Sequence, residues 1–161
     1  VKGFAIALLL SSCAIAQTAP PVAACGPQDV SFKVVKDKSQ HPTPTPENGK
    51  AILYVFGWGT LAVDGTPVGA VSGSGDYFVL PIDPGEHHLC ARFSARVWPA
   101  AIPLVKVKEV SLHSLEAKPG ETYYVALQVT LPYYGFKLDL LDPDQGKYVV
   151  AASTFSTSHP R

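Results

Sequence analysis

Residues 79–93 read VLPIDPGEHHLCARF: an apolar run, the turn Asp83-Pro84-Gly85-Glu86, and a second run that carries Cys90. Pro84 presets the φ needed at the second position of a tight turn, and Gly85 tolerates the positive φ that a type II turn requires next. Side chains alternate along an extended strand, so Leu89, Ala91 and Phe93 share one face while His88, Cys90 and Arg92 share the other. The stretch predicts two strands meeting at a tight turn, one face in a core and the other at the surface.

Working upstream, residues 51–58 (AILYVFGW) are a continuous apolar run of strand length, which reads as a central strand buried on both faces. Leu61-Ala62-Val63 then meets Asp64-Gly65, a strong hairpin signal, and Pro67 beyond it predicts that the returning strand lies at an edge. Residues 72–76 (SGSGD) read as a flexible loop ahead of Tyr77-Phe78-Val79-Leu80. Val30, Phe32 and Val34 alternate with their neighbours as a half-buried first strand. Between that strand and the main body, Pro42, Pro44 and Pro46 make residues 39–49 an extended, polyproline-like connector.

Downstream, residues 94–104 hold Trp98, Pro99 and Pro103 and read as an irregular crossing, followed by a weakly amphipathic strand. Lys118-Pro119-Gly120-Glu121 repeats the chemistry of the first turn and predicts a second, matched hairpin. In the strand after it, Tyr123, Val125, Leu127, Val129 and Leu131 share a face. Phe136, Leu138 and Leu140 mark one more strand. Asp142 suits a helix N-cap and Pro143 the first helical position, so a short helix is expected from Pro143 to about Ala151, with Gly146 arguing against anything longer. Thr154-Phe155-Ser156 would add an edge strand. Seven to eight short strands with one short C-terminal helix predict an all-β fold, an antiparallel β-sandwich.

The chain of 161 residues is long enough for one core, assigned to residues 50–152 within a single domain spanning 29–161. With 47% hydrophobic and 16% charged residues it is composed like a folded protein despite its 15 prolines. Basic and acidic residues both number 13, so no field of either sign draws in nucleic acid or anionic lipid. No apolar run approaches the roughly 20 residues of a membrane-spanning helix.

Residues 1–16 have the layout of a secretory signal peptide: Lys2, the apolar core from Phe4 to Leu10, then small residues. Cleavage after Ala16 fits Ala14-Ile15-Ala16, leaving residues 17–28 as a flexible tether; Leu10-Ser11-Ser12-Cys13 is the rival, a lipobox in which Cys13 would be acylated. Either route exports the chain to a bacterial periplasm or cell envelope, the second as an outer-membrane lipoprotein touching the membrane only through its lipid. Cys25 and Cys90 then remain as a pair in an oxidising compartment, and a disulfide is the natural inference. Its loop of about 65 residues would stabilise the fold by about 4 kcal/mol on the chain-entropy model. Because Cys90 lies on the polar face, the bridge should pin the N-terminal segment across the outside of its strand. Two unrelated buried thiols are the alternative.

Trp58, Trp98, Tyr133 and Tyr134 sit at or beside the expected loops, where aromatic rings can form a platform for a sugar or a peptide; core and corner packing is the competing use. His87 and His88, with His113 or His41, suggest metal ligation, but adjacent strand residues face opposite ways, so no metal site and no cofactor are expected. Asp142 and Asp144 belong to a faint calcium-loop pattern that helix capping explains better. Ser72 and Ser74 lack the strand-to-helix elbow of a hydrolase serine, and a bridged Cys90 is no nucleophile, so no catalytic residue is assigned.

From Ala51 to about Ala151 the order of motifs, Val63-Asp64-Gly65 with Val68-Gly69, then Pro84-Gly85-Glu86-His87-His88-Leu89, then Lys118-Pro119-Gly120-Glu121-Thr122-Tyr123-Tyr124, resembles the bacterial domain of unknown function family 2846. The turn motifs are also similar to those of PEGA-type surface domains. The resemblance implies an exported or lipid-anchored envelope protein with an immunoglobulin-like or prealbumin-like sandwich, and it carries no activity across. The expectation is therefore a non-enzymatic exported cell-envelope domain, an accessory or interaction module whose partner is an envelope protein, peptide or polysaccharide. A carbohydrate- or peptide-binding module using the loop aromatics is the first alternative. A metal-dependent hydrolase built on His87, His88 and His113 is the second.

Overall fold

The structure, a computed structural model, describes residues 25–27, 30–47, 49–96, 106–130 and 135–161. Its elements are β1 (Phe32–Asp37), β2 (Ala51–Val63), β3 (Thr66–Ile82), β4 (Gly85–Arg96), β5 (Lys106–Ala117), β6 (Thr122–Thr130), β7 (Gly135–Leu141), α1 (Pro143–Ala152) and β8 (Thr154–Pro160). Hydrogen bonds connect the strands in the order β1-β8-β3-β2-β4-β5, with β6 on β2 and β7 on β6. The architecture is the expected all-β, sandwich-like one with a short C-terminal helix. Two pairings, β2 with β6 and β3 with β8, are parallel, a feature that alternation along single strands does not reveal. No helix among the described residues is long and apolar enough to cross a membrane.

Strand β2 is the element the layers share. Its residues Ala51–Phe56 are all buried, as expected for a strand covered on both faces. One edge of β2 pairs with β3 along its whole length; the other pairs with β6 through Ile52–Gly57 and then with β4 through Thr60–Val63. The change of partner falls at Gly57 and Gly59, whose φ values of 110° and 135° suit glycine. A Cβ on Gly57 would stand 2.0 Å from the Leu127 carbonyl oxygen, so only a bare backbone can pass between the layers there. Between them lie Leu53, Val55, Leu61, Leu89, Val125 and Leu127, all fully or almost fully buried. Each such side chain contributes about 1.5–3 kcal/mol through burial.

The Asp64-Gly65 hairpin forms as expected: φ is 50° at Asp64 and 77° at Gly65, the paired positive values of a type I′ turn. The two Pro-Gly-Glu turns differ from expectation. β3 and β4 are not hydrogen-bonded to each other, and neither are β5 and β6; both turns are corners that carry the chain between layers. The outer edge of β3 meets β8 at Asp76 and Tyr77, and β4 instead pairs with the stretch of β2, Thr60–Val63, that β6 leaves open beyond Gly57. Glu121 N–H donates to the Lys118 carbonyl at 3.2 Å, with φ of 78° at Gly120, so the second corner is of type II. Each corner is braced by a ring from the strand it leads into. His87 reaches back to the Asp83 carbonyl, and the Tyr123 hydroxyl donates to Glu116 O while accepting from Lys118 N–H.

Three further expectations are corrected. Residues 72–76 are not a free loop but part of β3, where the register steps from Phe56↔Tyr77 to Gly57↔Gly73. The fully buried Asp76 holds this bulge by accepting from the Ser72 N–H at 3.0 Å and its hydroxyl at 3.1 Å, with Lys36 Nζ 3.4 Å away. β3 as a whole is internal, between β2 and β8, but β8 pairs with it only at Asp76 and Tyr77, so at Pro67, beside the register shift at Leu61/Ala62, β2 is its one paired neighbour among the described residues and the missing donor falls on a locally open edge. The C-terminal strand is longer than expected and internal, lying between β1 and β3, and β1 is the edge.

The bridge between Cys25 and Cys90 is formed, with Cα atoms 5.1 Å apart. Cys25, Cys90 and Ala62 make a small buried cluster on the outside of the β2–β4 layer. Arg92 Nη1 donates to the Pro27 carbonyl at 2.7 Å, so the arm is held at a second point. The 94–104 crossing falls partly in β4, and residues 97–105 lie outside the described residues.

A tyrosine-lined candidate functional site

Three tyrosines converge on the outer face of the β6–β2–β3–β8 layer because of register. Tyr54 and Tyr124 are direct partners across the parallel β2–β6 pair, and their rings stack at 5.4 Å with 17° between planes. Tyr77, one strand over, is 5.9 Å from Tyr54 and 5.7 Å from Phe155, its partner on β8. Helix α1 covers part of this face with Val149 and Val150. Its first turn is capped as expected, Asp142 accepting from the N–H groups of Asp144 and Gln145 at 3.1 and 3.0 Å. Gly146 is the contact point, where a Cβ would stand 2.1 Å from Tyr124 Cγ. The residue that argues against a long helix is the one that lets the helix dock.

Between α1 and the proline-rich connector the tyrosines floor a cleft of about 430 Å³. His41, Pro42 and Thr43 form one wall; Lys147, Val150 and Ala151 form the other. The volume is within the range of small-ligand sites. Burial pushes the hydroxyls of Tyr77 and Tyr124 above the ordinary phenol value, and burial together with the neighbouring Tyr124 and Tyr77 does the same to Tyr54. All three stay protonated at neutral pH and available as donors. The Tyr54 hydroxyl donates to the Pro42 carbonyl at 3.3 Å, whereas the Tyr77 hydroxyl is buried without a hydrogen-bond partner among the described residues.

Of the aromatic residues singled out in the sequence, Trp58 is 46% exposed on β2, opposite Ser72. Trp98, Tyr133 and Tyr134 lie outside the described residues, as does Cys13. The cleft tyrosines were not singled out in the sequence, where Tyr54 is one letter in an apolar run. Parallel pairing of β2 with β6 brings them together, and no local signal announces it.

The histidines are not gathered at one point. His87 directs Nδ1 to Asp64 Oδ2 at 2.6 Å and Nε2 to the Asp83 carbonyl at 2.7 Å, leaving no ring nitrogen for a metal. His88 faces Ser114, His113 stands opposite Leu89 in the β4–β5 register, and His41 lines the cleft. Among the described residues no group of three His, Cys, Asp or Glu is positioned to hold a metal ion. Ser72 serves the Asp76 bulge.

No family model, curated protein or solved structure matches this chain. What the fold and site define is a disulfide-bridged, all-β domain whose outer face carries an aromatic cleft.

Proposed function

We propose that this chain is an exported cell-envelope domain acting without catalysis, as an accessory or interaction module, with the tyrosine cleft as its binding surface. The observation that carries the reading is the cleft itself: a concave site of about 430 Å³ floored by three tyrosines, with apolar Pro42, Val150 and Ala151 and polar His41, Thr43 and Lys147 in its walls. Stacked rings and apolar walls of this kind support a binding role. The Cys25–Cys90 bridge supports an oxidising compartment, and with it removal of residues 1–16 or acylation of Cys13. The Asp64-Gly65 hairpin and the two Pro-Gly-Glu corners support kinship with domain of unknown function family 2846.

Two measurements test it. Mass spectrometry of the mature chain from a bacterial envelope fraction is expected to find an N-terminus at Gln17 or an acylated Cys13, with Cys25 and Cys90 oxidised. NMR titration with peptide fragments and, separately, polysaccharide fragments of the envelope is expected to move the signals of Tyr54, Tyr77 and Tyr124 with one of the two. Recovery of reduced protein with residues 1–16 retained, or flat titrations, would remove the reading.

A further inference from the structure

The hydroxyls of Tyr54 and Tyr77 belong to one ring cluster but differ in one respect: the first donates to a peptide carbonyl, that of Pro42, and the second is buried with no partner among the described residues. A buried donor without an acceptor is unfavourable, and native structures keep few of them without a reason. Resting on the binding reading above, we infer that the ligand of the cleft is a short, extended, proline-containing peptide segment, one of whose main-chain carbonyls accepts from Tyr77 as the Pro42 carbonyl accepts from Tyr54.

Four observations carry this. The chain's own segment His41-Pro42-Thr43 already lies along the tyrosines, so the cluster is a surface that an extended proline segment fits. Aromatic grooves take such segments because their backbone is pre-extended and loses little entropy on docking. The opposite wall, Val150 and Ala151, offers apolar contact to the segment's side chains. The rings stack on one another, and Tyr54 and Tyr124 are each 7% exposed, so no open aromatic face is left for a sugar ring to lie on. Tyr77 is 0% exposed, so its hydroxyl is reached only when a wall of the cleft yields. Among the described residues, the segment from His41 to Pro46 makes the single 3.3 Å bond from Tyr54.

The test is an NMR titration of the oxidised chain with the blocked pentapeptide acetyl-APTPA-amide and, separately, with the disaccharide of N-acetylglucosamine. The expected result is saturable peptide binding that shifts the signals of Pro42's neighbours, Tyr77 and Val150, weakened about five- to tenfold by Tyr77→Phe. The variant should melt no lower than wild type, which separates lost binding from lost fold. Peptide binding that is indifferent to Tyr77→Phe, or that maps elsewhere, overturns the inference. Saccharide binding in the cleft without peptide binding overturns it while leaving the binding module standing. Silence toward both probes removes both.

Discussion

The imidazole of His87 reaches the carboxylate of Asp64 at 2.6 Å, joining the first Pro-Gly corner to the tip of the β2–β3 hairpin. Its other nitrogen contacts the Asp83 carbonyl, and both acceptors demand an N–H, so the doubly protonated ring is the form that satisfies the geometry. Asp64 Oδ1 is taken by the His88 N–H at 2.7 Å, and Lys50 pairs with Asp83 at 2.8 Å. Both ends of β2 are thereby tied to one corner.

That arrangement sets a pH dependence. Burial alone would lower the His87 pKa, but hydrogen bonds to Asp64 and Asp83 and the charges of both carboxylates outweigh it and raise it. Burial likewise opposes ionisation of Asp64, but hydrogen bonds from His88 and His87 and the charge of the imidazolium lower its pKa. A raised histidine stabilises the fold below its unfolded pKa and loses that contribution as pH climbs through the folded value; a lowered aspartate loses its contribution as pH falls through its own. The pair is therefore most stabilising between the two ordinary values, about 4 and 6.5, and weakens above. Because Asp64 is 47% exposed, solvent screening limits the effect to about 0.5–1 kcal/mol. Urea unfolding at about pH 5.5 and pH 8.5 should show that loss in the wild type and a flat response in His87→Gln.

Tyr77→Phe should stabilise the protein. Removing a buried hydroxyl that has no partner among the described residues relieves its desolvation cost, a gain of about 1 kcal/mol that raises the urea midpoint. Tyr54→Phe should move the other way by less than about 1 kcal/mol, since its long bond to Pro42 is lost. A destabilised Tyr77→Phe would mean that the hydroxyl is satisfied in solution.

Gly146→Ala reverses the usual helix rule. Alanine is favoured over glycine in a helix interior by about 1 kcal/mol, yet its Cβ would stand 2.1 Å from Tyr124 Cγ. Overpacking should prevail and cost about 1–3 kcal/mol in thermal or urea unfolding. Tyr148→Ala, on the same helix at a side chain 75% exposed, should change stability by about 0.5 kcal/mol or less.

Replacing both bridged cysteines by alanine should lower stability by about 4 kcal/mol, because the closed loop spans 65 residues. Free-thiol titration under native conditions should find no reactive Cys25 or Cys90 before reduction. A double variant as stable as the wild type would place the unfolded-state constraint elsewhere.

Much of the fold was legible because its signals are local. The Asp64-Gly65 hairpin, the Asp142 cap with Pro143 after it, and the doubly buried β2 each follow from a few adjacent residues whose backbone preferences hold wherever the segment sits. The Cys25–Cys90 bridge and its place on the outer face followed from counting and strand parity. The Pro-Gly corners are legible as turns but not as corners between layers, since a turn's dihedral preferences do not say which strand the returning chain will pair with. Residues 72–76 look like a loop in sequence because the carboxylate that orders them, Asp76, acts only when it is buried beside Ser72 and Lys36. The internal position of the C-terminal strand is not legible locally because its second neighbour, β1, begins more than a hundred residues earlier.

By itself the sequence determined the class of fold, the turn positions, the helix start and the covalent bridge, all of which rest on short-range stereochemistry, alternation or a count of sulfurs. The tertiary structure alone decided that β2 takes β6 as a parallel partner and changes to β4 at Gly57–Gly59, that Gly146 lies on Tyr124, and that three tyrosines from three strands floor one cleft. These depend on contacts between segments far apart in the chain, whose free energy is realised only when the whole core closes, and no window of neighbouring residues contains it.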